Sequence, residues 1–247
     1  MELTIGWLYP KQMSTYGDRG NILTLVKRSQ WRKIKTKVKE INLGDDLEPN
    51  QVDLYFFGGG QDQAQIEVSK DLKKSKEGFL RSDLEKRKVF FSICGGYQLL
   101  SKFYRTADGV ELEGLGFLDA FTLAGEKRMI GNIAVEVNPK LLHGTLVGFE
   151  NHSGKTYLEK GTEPLGKVLI GSGNNGEDRL EGAWKNNTFG CYLHGPVLPK
   201  NPRFADLLLE RALQGRYGSV ELAPLDDSVE TSTHDSAFQR TKQVSKL

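Results

Sequence analysis

One stretch of the sequence constrains the fold more than any other, and it runs from residue 89 to residue 100. Its first half, Val89-Phe90-Phe91-Ser92-Ile93, has the composition of a strand that is buried on both faces of a parallel sheet. Cys94 ends this run, and Gly95 and Gly96 then permit a turn that larger side chains would block. The residues after the turn can form a helix. This order predicts a nucleophile elbow in which cysteine takes the nucleophile's position.

Cys94 is therefore a candidate nucleophile. It would lie at the N-terminus of the helix that follows, where free N–H groups and the helix dipole favour an anion. That position predicts a lowered thiol pKa and a larger thiolate fraction. The structural alternative is that Cys94 is a small buried hydrophobic residue.

His194 is the predicted partner of Cys94. It follows a predicted strand, Thr188 to Leu193, and precedes the turn Gly195-Pro196. A histidine at the end of a core strand can take the thiol proton and then protonate a departing amine. His152 lines the same site or packs beside it. Cys191 lies off the face that residues 192 and 194 share, so we interpret it as structural.

Three glycines follow another apolar run. Val52 to Phe57 is predicted to be a buried strand, and Gly58, Gly59 and Gly60 come directly after it. They bring bare backbone N–H groups to the carboxyl edge of the sheet, where ligands bind in open α/β folds.

The remaining patterns predict an α/β fold with an open, mostly parallel sheet, helices on both faces and added antiparallel hairpins. Strands are predicted at Leu3 to Tyr9 and, near a sheet edge, at Lys35 to Leu43. The short strands of the second half are expected to extend the same sheet as hairpins. Residues 1–213 form one predicted domain, and residues 214–247 form a polar tail that is partly disordered or docks on a partner.

Bulk composition excludes several classes of function. The 247 residues include 34 basic and 32 acidic ones, a net charge of +2 that implies neither a nucleic-acid partner nor membrane insertion. Two cysteines suit a reducing compartment, and no apolar run approaches the ~18 residues of a membrane span, so we expect a cytoplasmic protein. No Cys/His spacing suggests a metal site.

The stretches Gly161 to Lys167 and Ser153 to Thr156 each fail the phosphate-loop pattern.

The elbow Ser92-Ile93-Cys94-Gly95-Gly96-Tyr97-Gln98 resembles that of the class I glutamine amidotransferases, which also carry a distant histidine. Phe57-Gly58-Gly59-Gly60 is similar to the oxyanion strand of that family. The resemblance implies a flavodoxin-like fold and L-glutamine as substrate. It also implies that the oxyanion or the substrate is bound by a set of residues, namely Gly60, Gly95, Gln98, Arg128 and His152.

One departure concerns the residue that orients the histidine. Typical members of the family have His-x-Glu, whereas this chain has His194-Gly195-Pro196. That pattern resembles the cobyric acid synthase-like branch, as does Gly148-Phe149-Glu150-Asn151-His152. The third catalytic member is then Asp18, Glu150 or an acid of a partner, or the site is a bare dyad.

Within this branch, most of residues 1–213 resembles the amidotransferase subunits of lipid II isoglutaminyl synthases, including the loop Tyr16 to Asn21. The resemblance implies a heterodimer with a MurT-like Mur ligase subunit, which would bind ATP and Mg and amidate D-glutamate in the stem peptide of lipid II. This chain would itself carry no cofactor. The alternatives are a cobyrinate or cobyrate amidotransferase domain, a plain hydrolase, and a non-catalytic binding or redox module.

Overall fold

The computed structural model describes residues 1–15 and 17–244, so Tyr16 of the predicted loop lies outside the described residues. In chain order, the strands are β1 (Glu2–Leu8), β2 (Lys35–Ile41), β3 (Leu54–Phe57), β4 (Val89–Ile93), β5 (Phe103–Arg105), β6 (Glu111–Glu113), β7 (Ala120–Val137), β8 (Thr145–Leu158), β9 (Gly166–Ile170), β10 (Leu180–Glu181), β11 (Ala183–Lys185) and β12 (Thr188–Cys191). The α-helices are α1 (Arg19–Trp31), α2 (Asp62–Asp71), α3 (Glu77–Glu85), α4 (Gly95–Leu100), α5 (Pro202–Tyr217) and α6 (Ser228–Val244).

The first sheet has the strand order β11-β12-β4-β3-β1-β2. All neighbouring strands are parallel except β11, which pairs antiparallel with β12. The predicted α/β fold with a mostly parallel sheet is confirmed. The edge position of β2 is confirmed too, and its alternating Lys35, Lys37 and Lys39 disfavour pairing with another strand.

Apolar layers cover both faces of this sheet. On β4, Phe91 and Ile93 belong to the layer that includes residues of α1 and α5. Phe90 belongs to the opposite layer, which includes Leu72 and Leu80 of the helical segment between β3 and β4. The central strands are thus buried on both faces, which explains their continuous apolar sequence.

We expected the short strands of the second half to extend the first sheet. Strands β11 and β12 do so, whereas β7, β8, β9 and β10 do not. They form a second sheet with the order β10-β9-β7-β5-β6, in which β8 also pairs with β7. The edge of the first sheet beyond β12 is already occupied by β11, and the long β7–β8 hairpin pairs mainly within itself. An isolated bridge between Phe149 of β8 and His194 joins this second sheet to the end of β12.

The C-terminal tail, which we expected to be partly disordered or to dock on a partner, contains helix α6, and its docking on a partner stays a prediction. Helix α6 packs on the rest of the chain, and the ring of His234 hydrogen-bonds the Thr145 hydroxyl and the Lys200 carbonyl, each at 2.9 Å. These contacts are polar, so hydrophobic patterning gives no sign of them. The boundary between residues 1–213 and 214–247 stays a prediction.

A buried arginine connects the tail to the first sheet's helices. Arg28 of α1 is 1% exposed and forms ion pairs with Asp206 of α5 at 2.7 Å and with Asp227 at 2.6 Å. We expect Arg28→Ala to lower the free energy of unfolding by about 2 kcal/mol, because it removes the arginine that pairs with Asp227 and one of the two arginines that pair with Asp206. Urea denaturation measures this. Lys27→Ala on an exposed position of the same helix is the control, and equal midpoints for both variants would contradict the ion-pair account.

No helix within residues 1–15 and 17–244 is long and apolar enough to cross a membrane.

Candidate active site

Cys94 occupies a sharp turn between β4 and α4. Its backbone has φ 51° and ψ −110°, a left-handed conformation that is strained for a non-glycine residue. The Cys94 N–H donates to the Cys191 carbonyl, and the Cys94 carbonyl accepts from the Gln98 N–H, both at 2.9 Å. Strand, strained cysteine and helix are the geometry of the nucleophile elbow that the sequence predicts.

His194 lies next to Cys94 across a glycine. A β-carbon on Gly59 would lie 3.3 Å from Cε1 of His194 and 3.4 Å from Cβ of Cys94. The two side chains therefore converge on one point of the backbone after β3. Reciprocal backbone hydrogen bonds between His194 and Phe149, at 2.8 and 3.2 Å, hold the histidine there. Any side chain at position 59 would compete for this space.

The backbones of Gly60 and Gly95 face each other beside the thiol. A β-carbon on Gly95 would lie 3.0 Å from the nitrogen of Gly60, so only glycine permits this approach. The backbone N–H of Gly95 opposes the rise in the pKa of the Cys94 thiol. Two backbone N–H groups beside a nucleophile are the arrangement that stabilises an oxyanion.

The pKa values of Cys94 and His194 are shifted in opposite directions. Burial, and then the charge of Asp18, raise the pKa of the Cys94 thiol to about 12. Burial, and then the charges of His152 and Arg128, lower the pKa of His194 to about 4. The thiol pKa moves against the predicted direction because desolvation of the thiolate outweighs the help of the helix N-terminus. At neutral pH the pair is thus a thiol and a neutral imidazole, which is ready to accept a proton.

A cleft of about 650 Å³ opens beside Cys94 and Gly60. Gln98, Arg128 and His152 line it as well, so the structure brings these predicted substrate-binding residues to one place. Arg128 lies where the β7–β8 register shifts between Ala124 and Met129. Its Nε donates to Oδ1 of Asn151 at 2.6 Å. Their binding roles stay a prediction.

His152 and Gln98 present acceptors. The His152 ring stacks on Tyr192 with centroids 3.6 Å apart, and its Nδ1 contacts the Gly154 carbonyl at 2.8 Å. Because burial lowers the pKa of His152 to about 4, Nδ1 carries the one proton and Nε2 is an acceptor. Gln98 Nε2 donates to the Tyr192 hydroxyl at 3.1 Å. His152 Nε2 and Gln98 Oε1 are buried and have no partner within the described residues.

The two candidate third members differ in their surroundings. Glu150 accepts backbone N–H groups of Ser172 and Gly173 with both oxygens, at 2.8 to 3.1 Å, so it anchors the loop after β9. Asp18 accepts the Gly59 N–H at 2.6 Å, and Gly59 is the residue on which Cys94 and His194 converge. Burial raises the pKa of Asp18 to about 7. These contacts favour Asp18 over Glu150 as the acid nearer the pair, and its role in catalysis stays a prediction.

Sequence reasoning missed part of the cleft. Asp62, Gln65 and Tyr104 line it, whereas the many Lys and Glu residues in the helical pattern from Gln61 to Lys88 predict a solvated face. The position of Asp62 two residues after Gly60 could have pointed to it, because that loop leads away from the sheet's carboxyl edge. No group of three or more His, Cys, Asp or Glu residues suited to a metal ion is found in the described part of the chain.

A buried carboxyl binds the backbone two residues before His194. Glu181 is fully buried, and its Oε1 accepts the Tyr192 N–H at 2.6 Å. Burial raises the pKa of Glu181 from 4.5 to about 8. Since the unfolded chain releases this proton at a lower pH than the native chain, the group's contribution to stability is complete below 4.5 and is lost as the pH rises through about 8.

We therefore expect Glu181→Gln to reduce the fall in stability between acid and mildly alkaline pH. The glutamine keeps the oxygen that accepts from Tyr192 and removes the titration. Urea midpoints at about pH 5 and about pH 8 measure the fall in both proteins. A variant that loses as much stability as the wild type over this interval would show that Glu181 does not titrate in the native state.

Comparison with known proteins identifies relatives over most of the chain. Residues 4–202 match the CobB/CobQ-like glutamine amidotransferase domain. The lipid II isoglutaminyl synthase (glutamine-hydrolyzing) subunit GatD of Staphylococcus aureus strain N315 is 41% identical over 99% of this chain and 98% of its own length. The subunit of the same name from Streptococcus pneumoniae is 40% identical over 92% of this chain and 86% of its own length.

Solved structures agree with the fold. PurLQS from Thermotoga maritima superposes with a TM-score of 0.60 at 16% identity, covering 87% of this chain and 97% of that chain. At this level of identity the likeness concerns the fold alone.

Proposed function

The chain belongs to the CobB/CobQ-like glutamine amidotransferases and, within them, to the GatD subunits of lipid II isoglutaminyl synthase, and on this premise we propose how its residues act. It is the glutamine-hydrolysing subunit of that enzyme. The observation that carries the proposal is the convergence of Cys94 and His194 on Gly59, next to the backbone N–H groups of Gly60 and Gly95.

The first step is acyl transfer to the thiol. His194 takes the Cys94 proton as the sulfur attacks the side-chain amide carbon of L-glutamine. The N–H groups of Gly60 and Gly95 bind the oxygen on which negative charge develops, and loss of one such donor typically costs ~10²–10³ in rate. His194 then gives its proton to the departing nitrogen. Ammonia leaves, and a γ-glutamyl thioester remains on Cys94.

The second step returns the enzyme to its starting state. His194 removes a proton from water, which attacks the thioester carbonyl at the same oxyanion site. The carbon–sulfur bond breaks, glutamate leaves, and the thiolate recovers the proton from His194. The sum is glutamine plus water to glutamate plus ammonia. Arg128, Gln98 and His152 are proposed to hold the substrate, and Asp18 is the preferred candidate for orienting the pair through Gly59.

The partner reaction uses the ammonia. A MurT-like Mur ligase subunit would bind ATP and Mg and activate the α-carboxyl of D-glutamate in the stem peptide of lipid II, where ammonia forms the amide. This chain would supply no cofactor, and a cytoplasmic location, where ATP is available, belongs to the same proposal. The names of the two relatives support the proposal that this chain is a subunit of such a complex.

An isotope-transfer experiment tests this function. The purified chain and its Mur-ligase-like partner are incubated with lipid II, ATP and L-glutamine that carries ¹⁵N in its side-chain amide. We expect ¹⁵N in the product amide only when both subunits are present. Incorporation from glutamine without this chain, or glutamine hydrolysis that never labels lipid II, would contradict the proposal.

A further inference from the structure

We propose that Asp62 binds the α-ammonium group of L-glutamine and makes the cleft selective for an α-amino acid amide. The inference rests on the proposed glutaminase function and names a residue that neither the sequence patterns nor the resemblance singled out.

The position of Asp62 suits this role. It is the first residue of α2 and lies two residues after Gly60, whose nitrogen lies close to Gly95. It lines the same cleft as Cys94 and Arg128. A substrate whose side-chain amide reaches Cys94 therefore has its α-ammonium and α-carboxylate groups in the cleft that Asp62 and Arg128 line.

The charges of the cleft match an amino acid zwitterion. Arg128 is the cation suited to the α-carboxylate, because a guanidinium presents a planar set of donors to two oxygens. Asp62 supplies the opposite charge. Its carboxylate accepts a hydrogen bond from the Tyr104 hydroxyl at 3.3 Å, and within residues 1–15 and 17–244 it is in no ion pair. A cation that enters the cleft can therefore pair with this carboxylate.

The polar atoms around Asp62 also favour a donor. Gln65 of α2 is 2% exposed, and its Oε1 is buried without a partner in the described part of the chain. Gln98 and His152 line the cleft, and Oε1 of Gln98 and Nε2 of His152 are buried acceptors without a partner in the described part of the chain. An ammonium carries three N–H donors and the substrate amide carries two, so these acceptors suit groups that L-glutamine brings. A buried acceptor that receives no hydrogen bond costs free energy. A ligand that lacks the ammonium group therefore binds less tightly than L-glutamine.

The negative charge of Asp62 also acts on the nucleophile. It is one of the charges that raise the pKa of the Cys94 thiol. An ammonium bound at Asp62 cancels this charge, so the thiolate forms more readily when the correct substrate is present. A substrate without the α-amino group loses both the contact with Asp62 and the cancellation of its charge near the Cys94 thiol.

The test compares L-glutamine with glutaramate, which is the same molecule without the α-amino group. Ammonia release is measured with the wild-type complex of both subunits and with Asp62→Asn. We expect Asp62→Asn to lower kcat/KM for L-glutamine about 10- to 100-fold, the effect of one charge-assisted hydrogen bond. Turnover of glutaramate should stay equal or rise. The preference for glutamine over glutaramate therefore falls in the variant.

Two further variants separate recognition from structure. Glu67→Gln changes an exposed carboxylate on the same helix outside the cleft and should keep the wild-type preference. Tyr104→Phe removes the hydrogen bond that positions Asp62 and should reduce the preference by a few-fold, without an effect on glutaramate.

Two results would overturn the proposal in distinguishable ways. If Asp62→Asn slows both substrates equally, Asp62 does not recognise the ammonium although the enzyme is a glutaminase. If the wild-type complex releases no ammonia from L-glutamine, the glutaminase function itself is wrong, and this inference fails with it.

Discussion

Replacing Cys94 with alanine is expected to lower ammonia release from L-glutamine by about 10⁴-fold or more, because the acyl-transfer route requires the sulfur. Cys94 lines the cleft, whereas Cys191 is fully buried beneath it. The backbone hydrogen bonds at position 94 do not need the side chain, so the variant should fold and bind substrate. A coupled assay of ammonia release measures the rate, and calorimetry measures binding of L-glutamine.

Cys191→Ala is the matched control for the loss of a thiol. It removes the chain's other cysteine without touching the cleft and should retain catalysis, with a stability cost typical of a buried large-to-small change. Full activity of Cys94→Ala would refute the mechanism. Equal loss in both variants would point to damage of the fold instead.

Replacing His194 with glutamine should lower kcat by about 10²–10⁴-fold, the usual contribution of general acid–base catalysis. Burial holds the thiol pKa at about 12, so without a base almost no thiolate forms at neutral pH. The residual rate should therefore rise by about tenfold per pH unit above neutrality, as hydroxide replaces the histidine. The wild-type rate should vary little over the same interval, because the pKa of His194 is about 4.

The control for this prediction is His143→Gln. His143 lies exposed in the turn between β7 and β8, outside the cleft, and its replacement should leave the pH profile unchanged. A His194→Gln profile parallel to that of the wild type would contradict the assignment of His194 as the base for Cys94.

Much of the site could be predicted because it depends on local sequence. The elbow needs an apolar strand, a residue that tolerates strain and two glycines, and these are adjacent in the chain. The run Val52 to Phe57 followed by Gly58 to Gly60 is local in the same way. Parallel strands end at one edge of a sheet, so Cys94, Gly60 and His194 were expected to meet there, and they do.

Other features depend on contacts between distant segments. The second sheet forms because β7 and β8 pair with each other, which alternation of residue types does not distinguish from hairpins added to the first sheet. Helix α6 is held by polar contacts such as that between His234 and Thr145. The raised pKa of Cys94 reflects burial by the whole fold, whereas the predicted lowering considered only the helix that begins at Gly95.

Asp62 shows the same limit within the site. Its segment has the composition of a solvated helix, and most of its charged residues are exposed. Only the path of the chain after Gly60 brings its first residue into the cleft. A position next to a catalytic loop is thus a better guide to function here than the character of the helix as a whole.

Cys94 is the residue that we propose as the nucleophile in the attack on the side chain of glutamine. The most direct test is alkylation by the diazoketone analogue of L-glutamine, which carries a ketone carbon where the amide carbon would lie and a diazomethyl carbon in place of the amide nitrogen. After the diazomethyl carbon is protonated, attack by the Cys94 thiolate on that carbon forms a thioether and releases dinitrogen. Peptide mass spectrometry should find one adduct per chain on Cys94, and excess L-glutamine should prevent it. No adduct, or an adduct on another residue while Cys94 stays unmodified, would contradict the account.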